Sequence, residues 1–320
     1  MKHLFIINPV AHKVKGWQEM CIKEIHEFFG ANSHLQYDIH ITRWERDALG
    51  YVMRYAVKEK EPIRVHSIGG SSTLCEIVNA VIDIPEVQIA AYPMGRNNCF
   101  LRYFGMDKLN TFMSLKKQVL ADVVPMDAMR CGINYGIAFG AIGVEAIADR
   151  DGTEMLEKNI LLPEDTVYIW AGLKNALKNR QLGQKYTIDL DGQRLDGKYA
   201  TILIANGPCY GKNLNPAIEA HPNDGILDIY LARDMSRFKY ITTAPIYVSG
   251  GYQKLSGLIS HYRCKKISVS SESVMCVCID GGTYYEDSIE YEVIEGVINF
   301  ACPEGIELDK IPRIYGGAVN

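Results

Sequence analysis

The residues best suited to handling a phosphate lie in Ile68-Gly69-Gly70-Ser71-Ser72-Thr73, where a β-branched run meets two glycines and three hydroxyl side chains. Glycines let backbone approach an anion closely, and the N–H groups at the start of a helix favour negative charge. A tight strand-to-helix turn with a serine cap accounts for the same residues equally well. A second loop, Pro93-Met94-Gly95-Arg96-Asn97-Asn98, supplies a fixed turn, a cation and two amides. A third segment runs from Asn206-Gly207 through Tyr210-Gly211-Lys212 and Pro216-Ala217 to His221-Pro222-Asn223-Asp224-Gly225-Ile226-Leu227-Asp228. It offers Asp224 and Asp228 as acceptors, although Asp224-Gly225 before an apolar run is also simply a hairpin turn. His12 has no ligand cluster around it and reads as a solvated loop histidine. The nine cysteines contain no CxxC pair; Cys276 and Cys278 share one face of an apolar run, so buried thiols are favoured over a zinc site.

Alternating elements must position the first two loops. Leu4 to Ile7 reads as a buried strand ending in Asn8-Pro9, and Trp17 to Phe29 has helical spacing. The same rhythm continues as a strand (His34 to Ile41), a helix (Glu45 to Lys58), a strand (Ile63 to Ile68), a helix (Thr73 to Val81) and a strand (Val87 to Ala91). Such alternation predicts a Rossmann-like parallel sheet with helices on both faces, and ligands collect beyond the C-terminal ends of such strands. Asn8-Pro9, Gly69-Gly70 and Met94-Gly95 stand at those ends. After about residue 122 short β-branched and aromatic runs dominate, including Tyr186 to Leu190, Tyr199 to Ala205, Ile226 to Leu231, Lys266 to Val269, Val274 to Ile279 and Ser288 to Ile294. They predict an all-β sandwich with one inserted helix, Val167 to Asn179. The expected organisation is an α/β domain over residues 1–122 and a β-sandwich domain over 123–302, with residues 303–320 packing back on the first.

The chain has 320 residues, 48% of them hydrophobic and 22% charged, with a net charge of -4. This composition belongs to a globular protein. Its scattered Lys and Arg argue against nucleic acid as partner. No apolar run approaches the roughly 18 to 20 residues of a membrane span, which predicts a cytoplasmic protein.

The order of these motifs resembles that of the diacylglycerol kinase, sphingosine kinase and bacterial lipid kinase family over nearly the whole chain. Asn8-Pro9 resembles the family's opening NP, Thr42 its second-strand threonine, and Gly69 to Asn79 its GGDGTxxEVVN signature. Pro93 to Phe100 resembles PLGTGNDF, Asn206 to Ala217 its NG, YGGG and PxA segments, Asp224 to Asp228 its DGLLD, and Ile279-Asp280-Gly281-Gly282 its closing DGE. The resemblance implies the fold shared by NAD kinases and diacylglycerol kinases, with ATP in the cleft between its domains and transfer to a lipid hydroxyl. It implies nucleotide contacts at Asn8, Thr42, Gly69, Gly70, Ser71, Ser72, Thr73, Gly95, Arg96 and Asn98. It further implies a Mg2+ site from the Asp224 carboxylate with the carbonyls of His221 and Ile226, where oxygen ligands suit a hard cation.

The departures from the pattern fall on the chemistry. Ser71 and Ser72 replace the aspartate and second glycine of GGDGT; Arg96, Asn97 and Cys99 replace the threonine, glycine and aspartate of GTGND. Gly282 stands where the family's DGE glutamate is taken to be the base on the lipid hydroxyl. Asp280 or Glu286 would have to replace it, and Arg96 would serve as a phosphate clamp or pair with a surface carboxylate. The expectation is therefore a lipid kinase of weakened or altered activity; the alternative is an inactive pseudokinase that binds a lipid, a nucleotide or a protein partner. A third reading is a reaction of the NAD kinase type. A lipid acceptor would suit Tyr168 to Ala171, Tyr210, Ile246 to Val248 and Tyr252, unless these belong to the core. Peripheral membrane contact and a homodimer are further expectations.

Overall fold

The computed structural model describes residues 1–12, 14–95, 98–158, 164–178, 182–210 and 214–306. The chain divides into two compact units, Met1–Met126 with the described residues from Gly296 onward, and Asp127–Glu295.

The first unit contains β1 (Lys2–Ile7), α1 (Trp17–Ala31), β2 (Gln36–Ile41), α2 (Asp47–Lys58), β3 (Ile63–Gly69), α3 (Ser71–Val81) and β4 (Val87–Pro93). The short helices α4 (Cys99–Arg102), α5 (Leu109–Phe112) and α6 (Leu115–Val119) follow. β1 pairs in parallel with β2 and β3, and β3 with β4. The central strands are continuous apolar runs because both faces are covered: Leu4, Phe5, Ile6 and Ile7 are fully buried. Phe5, Ile7, Trp17, Ile25 and Phe29 pack one side, while Ala48, Val52 and Ala56, spaced four apart, form the buried stripe of α2.

Arg64, His3 and His66 are polar side chains buried within this sheet. The Arg64 guanidinium donates to Gln88 Oε1 and to the carbonyls of Gln118, Val119 and Ala121 at 2.7–2.9 Å. A cation is thus held at the C-terminal end of α6, where helix carbonyls carry partial negative charge. Beside it, His3 Nδ1 lies 2.9 Å from His66 Nε2, and burial pushes the first ring down to about 4 and the second well below the usual histidine range.

The second unit begins within β5 (Asp122–Cys131) and continues with β6 (Asn134–Gly136), β7 (Phe139–Gly143), α7 (Val144–Lys158), α8 (Glu164–Lys178), β8 (Gln184–Leu190), β9 (Gln193–Ala205) and β10 (Leu227–Arg233). It ends with α9 (Arg237–Val248), β11 (Ile259–Cys264), β12 (Lys266–Ile279) and β13 (Gly282–Cys302). Its sheet is antiparallel. β8 and β7 follow one another between the long strands β9 and β12, whose outer edges carry β10 and β13. Alternate residues such as Ile188, Ile202, Ile204, Ile229, Ile267, Val269 and Val277 meet in one buried core. β13 is longer than its apolar pattern suggests: it runs on from the second unit into the first, and its residues Asn299 and Phe300, which belong to the first unit, pair in parallel with β4 there.

The expectation of one helix in this part is corrected to three α-helices among the described residues. α7 starts directly from β7 through Gly143, at φ 88, where a Cβ would sit 2.5 Å from Ala200 O. α9 is rich in β-branched and aromatic residues and contains Pro245, a composition that favours a strand. Ser236 overrides it locally by accepting from Lys239 N as a helix cap.

Candidate functional site

The three strand ends of the first unit meet around Thr73. The side chain of Asn8, after β1, donates to Thr73 Oγ1 at 3.0 Å, and Gly69 O accepts from both Met94 N and Gly95 N at 3.2 and 3.0 Å. Thr42 N and Oγ1 both donate to Ile7 O. Gly69 is a glycine for steric reasons: a Cβ there would lie 2.5 Å from Thr73 Oγ1 and 2.7 Å from Thr73 Cβ. Gly70 is the N-terminal boundary of α3, no side chain caps the helix there, and Leu74 N donates to Gly70 O. The turn therefore presents a helix start next to the exposed Ser72, the arrangement that holds anions elsewhere.

Two substituted positions touch one another. Ser71 Oγ accepts from Cys99 N at 3.1 Å, joining the first loop to the second without any carboxylate. Asn98 Nδ2 donates to Gly95 O at 3.0 Å and shapes the second loop from within. Arg96 lies outside the described residues. Behind the loops is a recess of about 10 Å³ lined by Ser67, Gly69, Gly70, Ser71, Tyr92 and Asn98, room for one water and not for a nucleotide ring.

Glu76 has a different role from the turn it follows. Its carboxylate accepts from Arg46 N and Leu49 N at 3.3 and 3.4 Å, capping the first turn of α2, and burial raises its pKa. Asn79 Nδ2 donates to Cys75 O one turn earlier.

In the second unit Asp280 and Gly281 form the turn between β12 and β13, at φ 43 and 88, a pair of left-handed residues suited to a tight hairpin. The Asp280 carboxylate accepts from the amides of Ile137, Ala138 and Phe139. Burial raises its pKa while these three amides pull it back. Its oxygens are thus engaged in holding the strand entry of β7. Gly282 presents no side chain at all.

Asp224 is half-buried. Its Oδ2 pairs with the Arg263 guanidinium and its Oδ1 accepts from Ile226 N at 3.2 Å; burial pushes the carboxyl up to about 6 against the pull of Arg263. His221 and Ile226 occupy the same loop. Asp127 Oδ2 accepts from Gly225 N at 2.8 Å, and Asp228, fully buried, takes His261 Nε2 at 2.6 Å. No group of three His, Cys, Asp or Glu that could hold a metal is found among the described residues.

Sequence reasoning missed Glu145 and Asp149, one turn apart on α7. Tyr210 Oη donates to Glu145 Oε1 at 2.9 Å, Thr201 Oγ1 lies 3.3 Å from Oε2, and burial pushes Glu145 up to about 7. Cys278 Sγ donates to Asp149 Oδ2 at 3.2 Å, and Asp149 rises to about 6 for the same reason. The i, i+4 spacing of the two acids was the available signal, hidden because the segment was not read as a helix. Of the side chains assigned to a lipid acceptor, Ala171, Tyr247 and Tyr252 are buried, whereas Ile169 and Trp170 are exposed.

Comparison with known proteins gives two family matches that together span most of the chain. Residues 2–131 match the diacylglycerol kinase catalytic domain, and residues 140–302, just over half of the chain, match the YegS C-terminal NAD kinase beta sandwich-like domain. A protein of Staphylococcus aureus (strain Mu3), described as a "Putative lipid kinase", is 25% identical over 263 residues, 81% of this chain and 84% of that protein. Its counterpart in strain Newman is 25% identical over 264 residues with the same coverage. Among solved structures, a "putative diacylglycerol kinase" from Bacillus anthracis str. Sterne superposes with a TM-score of 0.73 at 20% identity, covering 96% of each chain. A second from the same organism, described as a diacylglycerol kinase, gives 0.67 at 18% identity, covering 96% of this chain and 98% of that one. Similarity at that identity speaks for the fold. None of the described helices is long and apolar enough to cross a membrane.

Proposed function

Because the chain belongs to the diacylglycerol-kinase-like family of lipid kinases, we propose that it binds MgATP and transfers the γ-phosphoryl group to a lipid hydroxyl such as that of diacylglycerol, at a rate lowered by its substituted positions. In that reaction the hydroxyl oxygen bonds to the γ-phosphorus, the bond to the β-phosphate oxygen breaks to release ADP, and the hydroxyl proton passes to a base or to water. The observation supporting the reading is the convergence of Asn8, Gly69 and Gly95 on the uncapped start of α3. Amides of Gly70, Ser72 and Thr73 would receive phosphate oxygens there, with Asn8, Thr42, Ser71, Gly95, Arg96 and Asn98 completing the contacts.

The Mg2+ in this proposal arrives with the nucleotide. A resident cation at Asp224, His221 and Ile226 does not fit the groups present, since one oxygen of Asp224 holds a guanidinium and the other a backbone amide.

An inactive, ligand-binding pseudokinase is the second reading, favoured by one observation: Gly282 offers no base, and the nearest carboxylate on that turn, Asp280, is committed to three amides. A positioned base contributes about 10²- to 10⁴-fold to such a step. The test is calorimetric titration with MgATP beside a radiolabelled transfer assay on diacylglycerol and sphingosine-type lipids. ATP binding with slow transfer is expected, and Gly282→Glu should speed transfer at least about tenfold. Binding with no transfer in either protein selects the pseudokinase. Absence of ATP binding sinks the kinase reading and leaves a pseudokinase whose ligand is a lipid or a protein.

A further inference from the structure

Trp44 stands 66% exposed in the loop between β2 and α2, a large aromatic surface left in solvent. The topology of the first unit brings that loop to the candidate phosphate turn. The strands lie in the order β2-β1-β3-β4, so β1 leads outward to β2 on one side while β3 leads to β4 on the other. The crevice at the strand ends therefore opens between β1 and β3, where the hydrogen bond from Asn8 to Thr73 spans it. Ile7 stands opposite both Ile41 and Ile68, so Asn8, Thr42 and Gly69 leave the sheet level with one another.

The loop is also fixed to α3. Glu76 accepts from Arg46 N, and the exposed Ser72 lies one turn before Glu76 on the same face of the helix. About 6 Å of helix axis, four residues of rise, separates the Arg46 anchor from the phosphate turn. Beneath the loop, the buried Asp47 carboxylate takes Arg43 N at 2.9 Å and His40 Nε2 at 3.1 Å, while Asp47 N donates to Trp44 O at 3.3 Å. The exposed indole thus stands on a braced backbone. Arg43 and Arg46 are exposed on either side of it, with Glu45 the one acid between them.

We infer that Trp44 is the platform on which the base of a purine nucleoside triphosphate stacks, and that the site accepts GTP as readily as ATP. The inference rests on the nucleotide reading of this turn and names the class of nucleotide it takes. An indole face stacks on any base, and more strongly on the larger purines, but it does not sense the edge groups that distinguish adenine from guanine. Backbone groups are the usual readers of such an edge. Here the amides of Thr42, Arg43, Arg46 and Asp47 are already engaged by Ile7 O, Asp47 Oδ2, Glu76 Oε1 and Trp44 O. The guanidiniums of Arg43 and Arg46 only donate, and N7 accepts in both purines.

The experiment titrates the full chain with the Mg2+ complexes of ATP, GTP, CTP and UTP, and with tripolyphosphate, by calorimetry and by tryptophan fluorescence. ATP and GTP should bind within about threefold of one another and change the emission, and CTP and UTP should bind at least about fivefold more weakly. Trp44→Ala should weaken ATP and GTP at least about tenfold, leave tripolyphosphate affinity unchanged and melt as the parent does. Trp44→Phe should keep most of the affinity and lose the emission change, since Trp17 is buried and Trp170 belongs to the second unit. ATP affinity unchanged in Trp44→Ala, an emission change that survives in Trp44→Phe, or GTP bound more than about tenfold more weakly than ATP overturns the inference and leaves the kinase reading standing. Failure of every nucleotide to bind overturns it together with the kinase reading.

Discussion

The Asp224 carboxylate is balanced by a guanidinium already present in the fold. Removing Arg263 leaves a half-buried carboxylate without its counterion, an unfavourable state that either protonation or a bound cation relieves. Arg263→Ala should therefore gain Mg2+ affinity at this loop by about tenfold or more over the parent, read by calorimetry without nucleotide. Arg263→Ala combined with Asp224→Ala should lose that gain. Equal Mg2+ affinity in all three proteins would show that Arg263 and a cation do not compete. The same balance explains why the family resemblance suggested a cation here: the acids of the loop are visible in sequence, whereas Arg263 lies 39 positions away in the chain.

Among the elements, α3 does two jobs with one sequence. Its first turn shapes the candidate phosphate site, and Glu76, a turn further on, caps α2 through Arg46 N and Leu49 N. Arg46 itself sits at φ 62, a conformation that costs energy for a non-glycine residue. Glu76→Ala should destabilise the first unit by about 1 to 2 kcal/mol, the value of a lost helix cap. ATP affinity should change little, because Glu76 faces α2. Chemical denaturation and calorimetry check the two halves of this statement, and a large loss of ATP affinity at unchanged stability would contradict it.

Across the whole molecule, the two units should respond oppositely to pH. In the first, His3 and His66 are held neutral below their ordinary value of 6.5. The folded state disfavours their protonation, so their contribution is complete above pH 6.5 and is lost as the pH falls toward about 4. In the second, Asp149 and Asp224 are raised to about 6 and Glu145 to about 7. The fold prefers these carboxyls protonated, so their contribution is greatest below the ordinary carboxylate range and is lost as the pH rises through 6 to 7. Hydrogen exchange resolved by peptide should show the first unit opening more readily at pH 5 than at pH 7.5 and the second unit the reverse. Glu145→Gln should flatten the second trend. Identical slopes in both units would refute this assignment of the buried groups.

The amino-acid sequence by itself determined the alternation that builds the first unit, because fully buried parallel strands are uninterrupted apolar runs and their helices keep a 3.6-residue stripe. It also determined the order of the candidate phosphate loops, since Asn8, Gly69 and Gly95 each follow such a strand. The two helices it concealed are those whose local preferences oppose their structure. α9 is strand-like in composition and is held by Ser236 and by packing on α8; α7 is more polar on average than α1 or α8 and follows directly on β7. Only the tertiary structure decided what the carboxylates do. Asp280 meets three amides from residues about 140 positions away, and Asp224 meets Arg263. Glu145 likewise meets Tyr210. A carboxylate's role follows from the charges and donors around it in space, and these partners come from strands that are distant in the chain.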